Sequence, residues 1–340
     1  MIKYLLPKDG SFYKANLHTH TTISDGQLTP LEIKEKYVDK GYSIVAFTDH
    51  EVMVPQVDLI DDNFLAITAT EILINQKCLV DGSFKKTYHL NIYSPYLYKT
   101  EFSVFNEDVI WKKHSFDYIT PKQREVKYVR NYDIDSVNKV IEIANNEGCL
   151  VSYNHPVWSL QNYSDYIGLK GLWGIEWFNS ACNRMGYIDN VKSIDDLLRQ
   201  GEKVFPLAAD DAHSIADCFG GFVMIKAEKL DYDTIFTALK KGDFYSSNKP
   251  EILELTYENG IIKIETSPVK KIYLSSDRRF TRFVNAEEGQ FITEATFDIN
   301  SYLEKSNEKG FSSQYVRISI VDDNGKEAHT RAYFVDELLK

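Results

Sequence analysis

Between residue 15 and about residue 245, short apolar runs rich in β-branched residues alternate with segments whose apolar residues recur every three or four positions. That alternation predicts repeated β-α units around a parallel sheet or barrel. The strand candidates are ANLH (15–18), SIVAFTDH (43–50), FLAITATE (64–71), TYHLNIY (87–93), CLVSYNH (149–155), LWGIEWFN (172–179) and VFPLAADDAH (204–213). Pro206 weighs against a central place for the last, because proline has no N–H to give to a ladder.

Helix signals fall between these runs. Thr29 as N-cap, Pro30 at the first helical position and Glu32 completing a capping box start one helix, with Leu28 and Ile33 as a hydrophobic staple and Gly41 as its stop. From Asp133 to Gly148, Ile134, Val137, Val140, Ile141 and Ala144 share one face. Ser193 with Asp196, followed by Leu197, Leu198 and Gly201, predicts a third helix capped at Ser193.

Two stretches break the pattern. Residues 94–132 are charged and aromatic and too long for an ordinary connection. They are read as an insertion, either covering an active site or forming a surface excursion. From Pro250 the texture turns to alternating strands and turns, with hairpin signals at Asn259-Gly260 and Asn324-Gly325. The expected division is 1–249 for the β/α unit and 250–340 for a small antiparallel β domain.

Composition narrows the function. The chain has 340 residues, 43% of them hydrophobic, and no apolar run of about eighteen or more that would span a bilayer. The start, MIKYLLPKDGSFYK, has no sustained apolar segment followed by a small-residue cleavage site, which predicts a cytoplasmic protein. Four cysteines, Cys78, Cys149, Cys182 and Cys218, show no CxxC spacing and predict free thiols. A net charge of −11 without a compensating Lys/Arg cluster argues against nucleic acid and membrane surfaces as partners. A small-molecule substrate is expected; the oligomeric state is left open.

The chemistry lies in the histidines. Of eight, six (His18, His20, His50, His89, His155 and His213) fall in or just after predicted strands, together with Asp25, Asp49, Glu71 and Asp211. In a β/α barrel the strand ends converge on one mouth, so residues remote in sequence become neighbours. Buried imidazoles and carboxylates in such numbers need pairing or a metal. The HxH of His18 and His20 presents both rings to one side of an extended strand. His114 and His329 have no such setting.

HTHTTISDG, TDH, TEI, YHLNIYS, NHP and DDAH, in this order, resemble the motifs of the PHP (polymerase and histidinol phosphatase) family of metal-dependent phosphoesterases. The resemblance spans roughly residues 15 to 250. It implies an α/β fold, a distorted seven-stranded β/α (TIM-like) barrel followed by an antiparallel β-sandwich-like domain, with two or three divalent metal ions (Zn, Mn or Fe) at its mouth. By position, it assigns His18, His20, Glu71 and Asp211 to a first metal, Glu71, His89 and His155 to a second, and Asp25, His50 and His213 to a third. Asp25 stands where some relatives have histidine. Asp210 adds a carboxylate just before Asp211.

Asp49 is expected to orient His50, and Asn154 to tune a neighbouring ligand. The mixed nitrogen and oxygen donors suit Zn, Fe or Mn. The expected reaction is hydrolysis of a small phosphorylated metabolite by a hydroxide shared between two metals, with Arg184, Asn179 and Glu176 as substrate contacts. The same metals would serve a hydrolase of a carboxyl ester, carbamate or amide. A non-catalytic binding protein is the third reading, disfavoured by the complete donor set.

Overall fold

The computed structural model describes residues 2–78, 82–307 and 314–340. Before residue 250 the strands are β1 (Lys3–Tyr4), β2 (Ser11–Asn16), β3 (Ile44–Phe47), β4 (Leu65–Lys77), β5 (Phe84–Tyr93), β6 (Leu150–Tyr153), β7 (Gly174–Asn179), β8 (Phe205–Ala209), β9 (Phe222–Ala227) and β10 (Phe244–Ser247). Then come β11 (Ile252–Glu258), β12 (Ile261–Val269), β13 (Lys271–Ser276), β14 (Arg282–Asn285), β15 (Ile292–Asp298), β16 (Tyr315–Val321) and β17 (Glu327–Thr330). One large sheet runs β14-β13-β16-β17-β10-β9-β2-β3-β4-β5-β6-β7-β8, and a second sheet runs β1-β11-β12-β15.

The fold is mixed α/β, and it departs from the expected seven-stranded barrel in two ways. First, β5 is antiparallel to both β4 and β6. The chain returns from β4 to β5 within a few residues, too short a link for the crossover that a parallel pair needs. Second, the sheet is not closed. Among the described residues, the edge strand β8 is joined to the β2 side by backbone pairing only at an isolated parallel bridge, Thr19↔Ala212. Asp211, with φ +52, leaves extended geometry beside that bridge.

The strands after residue 250 are antiparallel, as expected, and they divide between two sheets, one of which is continuous with the β/α part. β13, β14, β16 and β17 continue the large sheet, because Tyr245–Ser247 of β10 pair with Ala328–Thr330 of β17. β11, β12 and β15 form the other sheet with β1, and Ile252, Leu255, Ile262, Ile264, Ile272, Leu274, Ile318 and Ile320 of the two sheets share one apolar cluster. Lys249 lies at this junction, 3.0 Å from Asp322.

The helices follow the sequence with one exception. α1 (Pro30–Val38) has the Thr29/Glu32 capping box. α2 (Ile134–Asn146) is capped by Asp133 and buries Val137, Val140, Ile141 and Ala144. α3 (Lys192–Arg199) starts two residues earlier than Ser193 predicts, with Val191 at the N-cap and the Asn190 side chain accepting from Lys192 N. Asp196 instead accepts from Tyr166 and pairs with Lys192. All four thiols are free. Among the described residues, no helix is long and apolar enough to cross a membrane.

Candidate metal centre

The polar residues of interest stand where the strands end. His18 and His20 follow β2, Asp49 and His50 follow β3, Asn154 and His155 follow β6, and Asp210, Asp211 and His213 follow β8. Glu71 and His89 differ, lying inside the long antiparallel ribbon of β4 and β5, where Glu71 pairs with Asn91 and His89 with Leu73. Three non-glycine residues at these ends adopt left-handed backbone, Glu51 (φ +61), His155 (φ +29) and Asp211 (φ +52). Each such conformation costs about 1–3 kcal/mol and persists only where the surroundings impose it. Here each residue's own N–H is fixed, by Glu71 O (2.9 Å), Glu176 Oε2 (3.1 Å) and His18 O (2.9 Å) respectively.

All nine expected ligand residues meet at one place. Glu71 is the hub. Its Oε1 lies 3.2 Å from His18 Nε2, 3.2 Å from His89 Nδ1 and 3.3 Å from His155 Nε2. Its Oε2 lies 3.3 Å from both His20 Nε2 and His50 Nδ1. Asp211 Oδ1 is 3.2 Å from His18 Nε2 and 3.1 Å from His20 Nε2. Asp25 faces His213 at 3.4 Å, His20 at 3.7 Å and His50 at 3.8 Å.

These contacts are the spacing of donors around shared ions. Two atoms bound at about 2.0–2.2 Å to one ion lie about 3 to 3.6 Å apart. His18 Nε2 and His20 Nε2 face each other at 3.1 Å. Glu176 accepts from His18 Nδ1–H at 2.7 Å, leaving a lone pair on His18 Nε2 directed into the cluster. His20 Nδ1, His50 Nδ1, His89 Nδ1 and Asp211 Oδ1 are buried without a hydrogen-bond partner, which is costly unless a ligand satisfies them. The donors fall into overlapping groups: His18, His20, Glu71 and Asp211; His20, Asp25, His50 and His213; His50, Glu71 and His89; and His18, His155 and Glu176. With nitrogen and oxygen donors converging in this way, the residues fit divalent metal ions. His50 stands in two of these groups, whereas the sequence reading gave it to the Asp25 group alone.

The electrostatics demand positive charge. Burial opposes the imidazolium of His18, yet Asp211, Glu71 and Glu176 raise its pKa well above the ordinary value. His20 is raised to about 10, its bonds to Asp211 and Glu71 outweighing burial. Burial also works against the Glu71 and Asp211 carboxylates, and the surrounding imidazoles hold both well below the usual range.

Several neighbours play parts other than those expected. Glu176 and Asn179, expected as substrate contacts, are buried and are not among the residues that line the cleft. Glu176 is occupied by His18, the His155 N–H and Asn179, while Asn179 also reaches Asp211 at 3.2 Å and caps Cys182 N. Asp49 does not orient His50. Its carboxylate accepts from Thr21 N, Thr21 Oγ1, Ser24 N and Ser24 Oγ, which shapes the loop carrying Asp25. Asp210 points away from the cluster, accepting from Tyr37 and the 219–221 amides, and burial raises its pKa to about 6. Asn154 donates to Glu71 Oε1 at 2.8 Å. Arg184 lines the cleft with its guanidinium held by Asp217.

Sequence reasoning missed the residues that dock the 94–132 insertion. Arg130 makes a bidentate pair with Glu51, the residue after His50, at 3.0 and 2.8 Å, and both side chains are buried. Glu51 Oε1 also accepts from Leu73 N. His114 Nε2 donates to Ser24 O and Ser115 Oγ to Ile23 O. The Trp111 ring packs 4.6 Å from that of His50. Nothing in the spacing of Arg130 marks it, since its partner is far away in sequence. The insertion is therefore a wall of the site, and it helps enclose a cleft of about 1130 Å³ over the cluster.

A scan of family models and a search of curated proteins give no match. Among solved structures, the chain is similar to a two-domain protein containing a predicted PHP-like metal-dependent phosphoesterase from Bacteroides vulgatus, with 13% identity over 97% of this chain and 98% of that one (TM-score 0.44). It is also similar to an amidohydrolase from Chromobacterium violaceum, 13% identical over 68% of this chain and 96% of that one (TM-score 0.40). A third is a lesion-specific endonuclease from Pyrococcus furiosus, 18% identical over 68% of this chain and 56% of that one (TM-score 0.39).

Proposed function

We propose that the protein is a metal-dependent hydrolase of phosphate esters, acting on a small-molecule substrate with two or three divalent ions (Zn, Mn or Fe) held by the cluster. The observation that carries this reading is the convergence of six imidazoles and three carboxylates in one cluster, seven of these residues lining the cleft, with four buried polar atoms left without partners among the described residues. His18, His20, Glu71 and Asp211 would hold one ion, His89 and His155 with Glu71 a second, and Asp25, His50 and His213 a third. Bound there, such ions lower the pKa of water toward neutrality and neutralise charge developing on phosphoryl oxygens.

The chain's own groups prepare that chemistry. Glu176 and the Asp211 carbonyl, which accepts from His213 Nδ1–H at 2.9 Å, fix the tautomers of two imidazoles. Asn154 holds one Glu71 oxygen in place. Trp111 and Trp158 flank His50, His89 and His155 and shield the floor from bulk water. Arg184, on the cleft wall, is available to a phosphoryl oxygen through the part of its fork that Asp217 leaves free. The test is metal analysis of the purified protein, then hydrolysis of a panel of phosphate esters set against carboxyl esters, carbamates and amides. The reading expects bound metal and a preference for phosphate esters; turnover confined to the carbon-centred substrates would overturn it.

A further inference from the structure

The two ligands inside the β4–β5 ribbon begin a row of side chains that runs away from the metal centre. On β4 the alternate residues Glu71, Leu73, Asn75 and Lys77 all line the cleft. On β5, His89 lies opposite Leu73 and Thr87 opposite Asn75, so both share that face. At the far end the register shifts between Gln76 and Lys77, so that Lys77 pairs with Phe84 and Lys85 is the extra residue next to that pair. Both lysines are exposed, both line the cleft, and among the described residues neither has an ion-pair partner. Lys86 differs, being paired with Asp165 at 2.7 Å.

At about 3.3 Å per residue, Lys85 lies about 13 Å beyond His89 and Lys77 about 20 Å beyond Glu71. Between these ends the lining mixes apolar side chains with the polar Asn75 and Thr87 of the ribbon and Asp108 of the insertion. Leu73 faces the cleft from the ribbon, and Trp111 and Val129, both exposed, face it from the insertion. In a chain of net charge −11, two unpaired lysines at the end of a cleft that starts at a metal site are a local exception to the overall field.

We infer that Lys77 and Lys85 form a distal anion subsite, and that the substrate is an elongated phosphate ester. Its scissile group sits over Glu71, an apolar or planar middle lies against Leu73 and Trp111, and a second anionic group meets the lysines. This deepens the proposed function and rests on it.

Binding of non-hydrolysable phosphonates to the metal-loaded protein tests it, by calorimetry with methylphosphonate and a series of α,ω-alkane bisphosphonates. Affinity relative to methylphosphonate rises with spacer length until the second phosphonate spans about 13 to 20 Å. In the Lys77→Gln/Lys85→Gln variant, that long-to-short affinity ratio falls on the order of ten-fold. A ratio independent of spacer length, or one that survives both substitutions, overturns the subsite alone. Failure of methylphosphonate to bind the metal-loaded protein overturns the phosphoesterase reading and the subsite with it.

Discussion

At the scale of single residues, the Glu71 carboxylate faces five imidazole nitrogens at 3.2–3.3 Å. Glu71→Gln would turn an NH2 group toward some of them and remove the charge that joins the donor groups. The expected result is loss of bound metal and a fall in kcat of roughly a thousand-fold or more, with an unchanged circular dichroism spectrum. Activity within ten-fold of wild type would contradict this. Asp49 carries a different load, since four donors from Thr21 and Ser24 depend on it. Asp49→Ala leaves them buried and unsatisfied, at a cost of at least about 1–3 kcal/mol in denaturant unfolding. The nine residues of the cluster were legible because their histidines and carboxylates fall in or just after apolar runs, although Glu71 and His89 lie within strands and not at their ends. The parts played by Asp49, Asp210 and Glu176 were not, because they depend on which loop amide or ring each buried carboxylate finds.

At the scale of elements, the insertion is tied to the site by the pair between Arg130 and Glu51, inside which the left-handed Glu51 follows His50 directly. Arg130→Met leaves a buried carboxylate uncompensated and should cost about 3–5 kcal/mol. Combining it with Glu51→Gln removes that charge and should recover a substantial part, as a double-mutant cycle by chemical denaturation would show; an undiminished cost in the double variant would exclude the clamp. β2 to β8 and α1 and α2 were legible from periodicity and capping residues, whereas β9 and β10 fell outside the seven runs read as strands. The direction of β5 was not, because alternation of apolar runs records that strands exist and leaves their sense to the connection. That direction matters to the site, since it brings His89 in from a ribbon outside the mouth rather than from a strand end.

For the whole molecule, the two sides of the gap in the sheet meet at the cluster of candidate metal donors, with His18 and His20 after β2 and Asp211 after β8. Ions bound there would join sheet edges that one isolated bridge otherwise links. Chelation should therefore abolish activity and lower the unfolding temperature. At free metal a hundred-fold above its Kd, the stabilisation lost is about 2.7 kcal/mol, and adding Zn, Mn or Fe should restore both properties. The continuation of the large sheet into the strands after residue 250 was hidden from the sequence, because the β10–β17 pairing joins segments about eighty residues apart. The most direct test of the account is the metal content per chain of the purified protein beside Glu71→Gln. The account predicts two or three divalent ions per chain in the former and a marked loss in the latter. A native protein that holds none, and takes up none when offered Zn, Mn or Fe, would contradict it.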